Sequence, residues 1–125
     1  MFRVHHRLTA SVEPFEYFEK TAGEDIGAGE ALVLNSGKLT KCGQEARPEF
    51  IAMGGENRHG LVPVIRVLAT TVFAVPAQAD QSALGAGSKV TLHTDGLQVT
   101  ASSEGGVFTL MRVAKQGGEC LGYFA

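Results

Sequence analysis

Four histidines are the side chains of this chain best suited to ligate a metal ion, but their spacing argues against a metal site. His5 and His6 are adjacent, and adjacent residues on a strand point to opposite faces. Both imidazoles therefore cannot readily hold one ion. His59 lies in a polar stretch and His93 at a predicted hairpin tip, and no Cys-x-x-Cys, His-x-His or His-Glu-x-x-His motif occurs. We expect no metal site and no cofactor.

Covalent catalysis by a thiol or a hydroxyl has no support either. Cys42 and His59 lie in no motif that would lower a thiol pKa. No Gly-x-Ser-x-Gly elbow is present, and the serines stand in turn-like contexts, where hydroxyls usually bond the local backbone. These serines are Ser82, Ser88, Ser102 and Ser103. The sequence predicts no catalytic residue and no enzymatic activity.

Three carboxylates, Glu13, Glu16 and Glu19, recur every third residue. On a helix they would form one acidic stripe, but on a strand Glu16 would face away from the other two. We expect a solvated strand edge, where charges discourage unwanted strand pairing.

A glycine-rich string, Gly85-Ala86-Gly87-Ser88-Lys89, has only a superficial likeness to a phosphate-binding loop. Its lysine follows its serine, and a predicted strand stands where the phosphate loop needs a helix. Its twin, Gly27-Ala28-Gly29-Glu30, has no lysine at all. The glycines therefore indicate turns.

The two glycine-rich strings begin an internal repeat. Residues 27–39 (GAGEALVLNSGKL) recur 58 positions later as residues 85–97 (GAGSKVTLHTDGL). Turn glycines and alternating apolar residues match, whereas groups able to do chemistry do not. The same register pairs Phe15 with Phe73, Phe50 with Phe108 and Met53 with Met111. It places Phe15 and Phe73 on the inner face, so we expect both rings to fill the shared core.

The repeat predicts two similar halves, residues 12–57 and 70–115, within a single domain of 1–125. Neither half is large enough to bury its hydrophobic face alone. We therefore expect one core shared by the two halves, as a small all-β barrel or a two-sheet sandwich.

Alternating and β-branched residues predict the strands of this domain. The turns at Asn35-Ser36-Gly37 and His93-Thr94-Asp95-Gly96 predict two hairpins, because Asn, Asp and Gly tolerate a positive φ. A short segment, 76–84, is predicted to be helical or irregular. The expected strands are 12–19, 31–34, 38–42, 50–53, 61–68, 70–75, 89–92, 97–100, 107–113 and 120–124.

Charge and composition limit the partners. A net charge of −2 and a pI near 6.1 give no general attraction for nucleic acid or anionic lipid. No apolar run reaches the roughly 20 residues that cross a bilayer, and the polar, basic opening has no apolar signal core. Cys42 and Cys120 are interpreted as unbridged, buried thiols of a reducing compartment. Residues 1–11 are predicted to be a flexible N-terminal arm.

Three runs of residues resemble the head decoration, or capsid cement, proteins of tailed bacteriophages and prophages. In that family a small-Gly-x-x-Leu strand precedes a Gly-Lys-Leu turn and a Pro-x-x-Ile-Ala strand. The likeness covers about residues 20–115. Its motifs here are Ala28–Leu34, Ser36–Cys42 and Arg47–Met53, with a similar pattern in Val90–Leu92, Asp95–Thr100 and Gly106–Phe108.

The resemblance implies a non-enzymatic protein that docks on the assembled capsid shell, often as a trimer, with an arm that becomes ordered there. Its partners would be copies of itself and the major capsid protein, with no nucleic acid or membrane. It would act on the virion surface after assembly in the bacterial cytoplasm. The residues expected to contact partners are the arm anchors Phe2 and Val4 and the aromatic flank Tyr17 and Phe18.

Two other functions remain open from the sequence. A small-molecule or carbohydrate-binding barrel would place its site at the barrel mouth, near Asn35, His93 and Asp95. A small hydrolase-like enzyme would use His59 or Cys42.

Overall fold

The fold is all-β, as predicted. The computed structural model describes residues 1–8, 15–44 and 46–125, and no helix occurs among them. Nothing in these ranges could cross a membrane as a helix. Residues 77–84, expected to be helical or irregular, are irregular. The strands are β1 (Arg3–Arg7), β2 (Glu16–Phe18), β3 (Ala31–Asn35), β4 (Lys38–Lys41), β5 (Phe50–Ala52), β6 (Val62–Arg66), β7 (Thr71–Pro76), β8 (Lys89–Val90), β9 (Phe108–Arg112) and β10 (Glu119–Phe124).

The strands form two antiparallel five-stranded sheets that follow the two halves of the chain. The first sheet has the order β2-β6-β5-β3-β4, and the second has the order β1-β7-β10-β9-β8. We call β2 to β6 the first half and β7 to β10 the second half. If β2 is matched with β7, then β6, β5 and β3 correspond to β10, β9 and β8. The internal repeat is therefore also a repeat of strand order.

The repeat reaches further than the sequence indicated. Strand β6 lies beyond the predicted end of the first half at residue 57, and β10 lies wholly beyond the predicted end of the second half at residue 115. Even so, Phe50 pairs with Arg66 as Phe108 pairs with Phe124, which is the same register 58 positions later. The predicted match of Phe50 with Phe108 is confirmed, and both rings are fully buried.

The predicted match of Phe15 with Phe73 is wrong by one residue, because the structural counterpart of Phe73 is Glu16. Glu16 lies opposite Val64 and Phe73 lies opposite Gly122, and Gly122 follows Val64 by the 58 positions of the repeat. Because a slip of one residue turns every side chain to the other face, Phe15 is half exposed while Phe73 is buried. The expectation that both rings fill the core therefore fails for Phe15.

The first predicted hairpin is confirmed. Asn35 pairs with Lys38, so the two turn residues are Ser36 and Gly37, with φ values of 53° and 78°. Two positive φ values are typical of a type I′ turn. The strained position is Ser36 and not Asn35, which stays in the strand.

The second predicted hairpin is only partly formed. Residues 97–100 are not a strand, and Val99 makes isolated bridges to Leu92 and Ala77. The His93 amide donates to the Gln98 carbonyl at 2.9 Å, which leaves a loop of four residues between them. Asp95 stabilises this loop, because its carboxylate accepts a hydrogen bond from the Leu97 amide at 2.8 Å.

The two sheets form a sandwich, and neither closes into a barrel. In the first half, the Thr21 amide donates to the Leu39 carbonyl and the Leu39 amide to the Glu19 carbonyl. This contact curls the sheet, but it amounts to a single bridge between Lys20 and Leu39. Gln78 and Pro76 make the same contacts with Val99 in the second half.

One apolar core joins the halves, as predicted. Its largest cluster combines Ile51 and Ile65 of the first half with Phe73, Phe108 and Phe124 of the second. A second cluster fills the curl of the first sheet. Its buried members are Ile26, Leu32, Leu39, Phe50, Ala52, Val62 and Val64.

The opening residues are not the flexible arm that their polar composition predicted. Residues 3–7 form β1, which pairs with β7, and residues 9–11 lie outside the described ranges. Phe2 is only 2% exposed, and its ring contacts Phe73, Phe108 and Phe124 at centroid distances of 5.3–6.0 Å. Its amide donates to the Gly29 carbonyl at 2.9 Å. This aromatic anchor holds a strand whose exposed side chains are basic.

We predict that Phe2→Ala destabilises the protein by about 3–5 kcal/mol, since it removes a buried ring from the contact between the halves. Phe15→Ala, at a half-exposed position, should change stability by less than about 0.5 kcal/mol. Equilibrium denaturation measures both. Equal effects of the two substitutions would contradict the assignment of Phe2 to the core.

Candidate interaction surface

The four residues predicted to contact partners do not form one surface. Phe2 is a core residue, which corrects its placement on a partner-facing arm. Val4 is partly buried against the shared core, opposite Phe73. Phe18 is also partly buried, with its ring 5.0 Å from that of Phe50. Tyr17 is 53% exposed, and it faces away from Phe18 because the two are neighbours on β2.

Tyr17 instead belongs to an apolar row across three strands of the first sheet. It pairs with Pro63 on β6, and the Pro63 carbonyl accepts the Met53 amide at 2.8 Å just beyond β5. Paired residues point to the same face of a sheet, so these three side chains lie side by side. We call Tyr17, Pro63 and Met53 the apolar row.

The apolar row continues the core outwards. Ile51 and Ile65, two positions along their strands from Met53 and Pro63, lie on the same face and are buried against the second half. A cleft of about 90 Å³ lies at this border. Met53 and Met1 line it, and they are 40% and 52% exposed. The face that binds the second half therefore extends beyond it into solvent.

The sequence offered signals for two residues of the apolar row, Met53 and Pro63. The repeat matched Met53 with Met111, and the two are 40% and 41% exposed. Pro63 inside a predicted strand was a further signal, because proline cannot donate a ladder hydrogen bond and so indicates a place where strand pairing is interrupted. Neither signal indicated that Tyr17 would stand beside them, since that depends on the register of β2.

The histidines do not gather into a metal site. His5 and His6 are both exposed, with their Nδ1 atoms 2.7 Å apart on β1. The His59 ring contacts Arg58, and His93 belongs to the 93–98 loop. Within the described ranges, no three His, Cys, Asp or Glu side chains are grouped so that they could hold a metal ion.

Both thiols are free and buried, and their surroundings disfavour the thiolate. The Cys42 thiol donates to the Ala46 carbonyl, and the Cys120 thiol to the Val75 carbonyl. Burial raises the pKa of each thiol to about 11. A nucleophilic cysteine needs a lowered pKa, so neither environment activates its thiol.

The predicted edge carboxylates are separated. Glu16 accepts two hydrogen bonds from the Arg66 guanidinium, at 2.8 and 3.1 Å. Glu19 lies 3.8 Å from the Lys38 ammonium, with its side chain 66% exposed. Glu13 lies outside the described residues.

Two of the four serines form local hydrogen bonds through their hydroxyls, and of these only Ser88 bonds the backbone as predicted. The Ser82 hydroxyl donates to Asp80, and the Ser88 hydroxyl accepts the Gly85 amide. Ser102 and Ser103 lie in an irregular stretch and are exposed.

The residues proposed for a barrel-mouth ligand site are held by their own turns. Asn35 is exposed in the first hairpin. Although burial alone would raise the pKa of Asp95, hydrogen bonds from the Leu97 amide and the Gln98 side chain keep it below its ordinary value. His93 belongs to the same loop as Asp95.

A polar cleft lies beside this loop. It has a volume of about 260 Å³, and the Thr91 and Thr100 hydroxyls at its wall are 2.8 Å apart. Gln44, Ser102 and Glu104 complete its lining.

Glu30 is a buried carboxylate near the contact between the halves. It is 3% exposed, and its Oε2 atom has no hydrogen-bond partner among the described residues. The Lys41 ammonium lies 3.7 Å from the Glu30 Oε1 atom. Ala31, which follows Glu30 in the chain, donates its amide hydrogen to the Gly96 carbonyl of the second half. Burial raises the pKa of Glu30, and the attraction of Lys41 offsets this only in part.

No protein-family model and no curated protein matches this chain. The proposed function is therefore argued from the sequence, the fold and these surfaces.

We predict that Glu30→Gln stabilises the protein at neutral pH, by on the order of 1 kcal/mol. The folded state holds the Glu30 proton more tightly than the unfolded state, so wild-type stability falls as the pH rises from the ordinary carboxyl pKa through the raised pKa of Glu30. Below that pH range the Glu30 carboxyl is protonated, so the wild type and the Glu30→Gln variant are both neutral at this position and their difference in stability should vanish.

Denaturation at a series of pH values measures this difference. Glu56→Gln, at an exposed carboxylate, is the matched control and should not change stability. A Glu30→Gln variant that is less stable than wild type at neutral pH would contradict the prediction.

Proposed function

We propose that this chain is a non-enzymatic structural protein of a tailed bacteriophage or prophage, which binds the assembled capsid shell and stabilises it. The observation that carries the proposal is the apolar row of Tyr17, Pro63 and Met53, an exposed continuation of a buried face. Exposed apolar surface continuous with a core is typical of protein contact sites. The sequence resemblance to head decoration proteins supports the same role.

Such a protein acts by mass action. If it binds the assembled shell and not the free subunits, it stabilises the shell in proportion to the logarithm of its free concentration relative to the dissociation constant. This role needs a rigid scaffold and a contact surface. A sandwich whose halves share one core meets the first need, and the apolar row meets the second.

An enzymatic role has less support. Both thiols are buried with raised pKa values, and His59 contacts an arginine instead of a carboxylate. A general base is usually oriented by a third polar group. The described residues hold no such constellation.

The proposed partners are copies of this chain, most simply a homotrimer, and the major capsid protein. Several copies bound together would gain avidity, because each later contact becomes intramolecular. The net charge of −2 suits the outside of a DNA-filled particle better than contact with the genome. The proposed location is the capsid surface of the virion, reached from the cytoplasm of the bacterial host.

A second candidate function is binding of a small polar molecule. The polar cleft favours it, since Thr91, Thr100 and Ser102 bring hydroxyl groups to one concave surface. Its described lining does not include Asn35, His93 or Asp95, the residues near which the sequence placed the site. The cleft is open to solvent and its described lining includes no aromatic ring, so it ranks below the contact role.

We predict that the double substitution Tyr17→Ala and Met53→Ala weakens shell binding at least about tenfold, because large apolar side chains at the centre of an interface carry much of its affinity. The probe is a shell assembled from the major capsid protein that, on this proposal, is encoded together with this chain. Co-sedimentation over a range of protein concentrations gives the dissociation constant.

Glu104→Ala, in the polar cleft, is the matched control and should bind the shell like wild type. Circular dichroism verifies that each variant is folded. Wild-type protein that does not sediment with the shell would disprove the proposed function. Wild-type affinity in the double variant would disprove the role of the apolar row.

A further inference from the structure

The outer edge of β2 carries backbone groups without a partner in the described structure. Antiparallel strands alternate between pairs that exchange hydrogen bonds and pairs that do not. Pro63 has no amide hydrogen, and its carbonyl is bonded to Met53 on the side away from β2. Tyr17 therefore forms a non-bonded pair with Pro63, and its own N–H and C=O point out from the sheet.

Neighbouring contacts agree with this direction. The Glu19 carbonyl and the Thr21 amide both bond to Leu39 on the outer side of the same chain segment. Residues two apart on a strand direct their backbone groups to the same side. Tyr17, two positions before Glu19, thus directs its groups outwards as well. No strand lies there among the described residues, because β2 ends its sheet.

The second half shows a strand bound at the equivalent edge. There β7 is the counterpart of β2, and Ala74, the counterpart of Tyr17, pairs with Arg3 of β1. The Thr70 carbonyl, on the same outer side, accepts the Leu8 amide at 2.7 Å. The two halves therefore differ at this edge, where the second half has an added antiparallel strand and the first half has none among the described residues.

Side chains around the open edge indicate what would fit it. Tyr17 and Phe15 are each about half exposed and offer aromatic surface beside the strand. Glu19 keeps a mostly exposed carboxylate, and its contact with Lys38 is a long surface pair. In the second half the bound strand is basic, with Arg3 paired to Glu119. An extended segment with cationic and apolar residues complements this edge.

We propose that the outer edge of β2 is a strand-acceptor site, which binds an extended basic segment of another polypeptide as an added antiparallel strand. Main-chain hydrogen bonds to Tyr17 supply affinity, and the aromatic rings and Glu19 supply selectivity. The site does not depend on the proposed function, because it can be tested without a shell.

A synthetic peptide with the sequence of residues 1–8, MFRVHHRL, is the probe, because this segment contains the strand bound at the equivalent edge. Titrated into the full chain and followed by amide NMR shifts, it should perturb Tyr17 and its neighbours at sub-millimolar concentration. A peptide with Arg3→Glu and Arg7→Glu should bind more weakly. Shifts confined to β7 would mean exchange with the chain's own β1, and would overturn the proposal.

Tyr17→Pro removes the outward N–H without removing a ladder bond to β6, whereas Tyr17→Ala removes only the ring. The proline variant should bind the peptide at least about threefold more weakly than the alanine variant, from the loss of one hydrogen bond. If Tyr17→Pro fails to fold, the peptide methylated on its Arg3 amide nitrogen provides the same comparison on wild-type protein.

Equal binding by both Tyr17 variants, and equal binding by the methylated peptide, would overturn the proposal. A further contrary result is a dimer of the wild-type chain that Tyr17→Pro abolishes while the peptide does not bind. That result would assign the edge to pairing between copies of this chain.

Discussion

The contact of Phe2 with both halves is the interaction on which the rest of the structure depends. Its ring packs against Phe73, Phe108 and Phe124, and its amide bonds to Gly29 in the first half. A sheet of five short strands cannot bury both faces by itself, so each half needs the other. Phe2 fills the border between them and fixes β1 along β7. The remaining exposed face of the first sheet is then what β1 and the second half leave uncovered.

The two halves share a strand order but not a surface. In the second half, β1 covers the outer edge of β7, and Ala74 beneath it is fully buried. In the first half the matching residue is Tyr17, which is exposed beside Pro63 and Met53. Comparison of equivalent positions therefore separates residues needed by the common scaffold from residues free to contact partners. The proposed capsid role uses the exposed face of the first half, and the proposed strand acceptor uses its edge.

Much of the fold followed from local patterns, and the exceptions have physical causes. Gly37 predicted the first hairpin, and the match of Phe50 with Phe108 predicted equivalent core strands. Both predictions succeeded because a turn signal is local and a repeat is periodic. The arm prediction failed because β1 is basic and exposed along most of its length, while its anchor is one aromatic residue held by distant rings. The placement of Phe15 failed because a register shift of one residue is not visible in a repeat of apolar positions. The apolar row was only partly foreseen for the same reason.

Amide hydrogen exchange in increasing denaturant tests the shared core most directly. The amides of the buried residues Ile51 in β5 and Leu110 in β9 report on the two halves separately. If one core joins them, both amides should converge on a single unfolding free energy and one denaturant dependence. Opening of Ile51 at a distinctly lower free energy, with Leu110 still protected up to global unfolding, would contradict the account, because the halves would then be separate folding units.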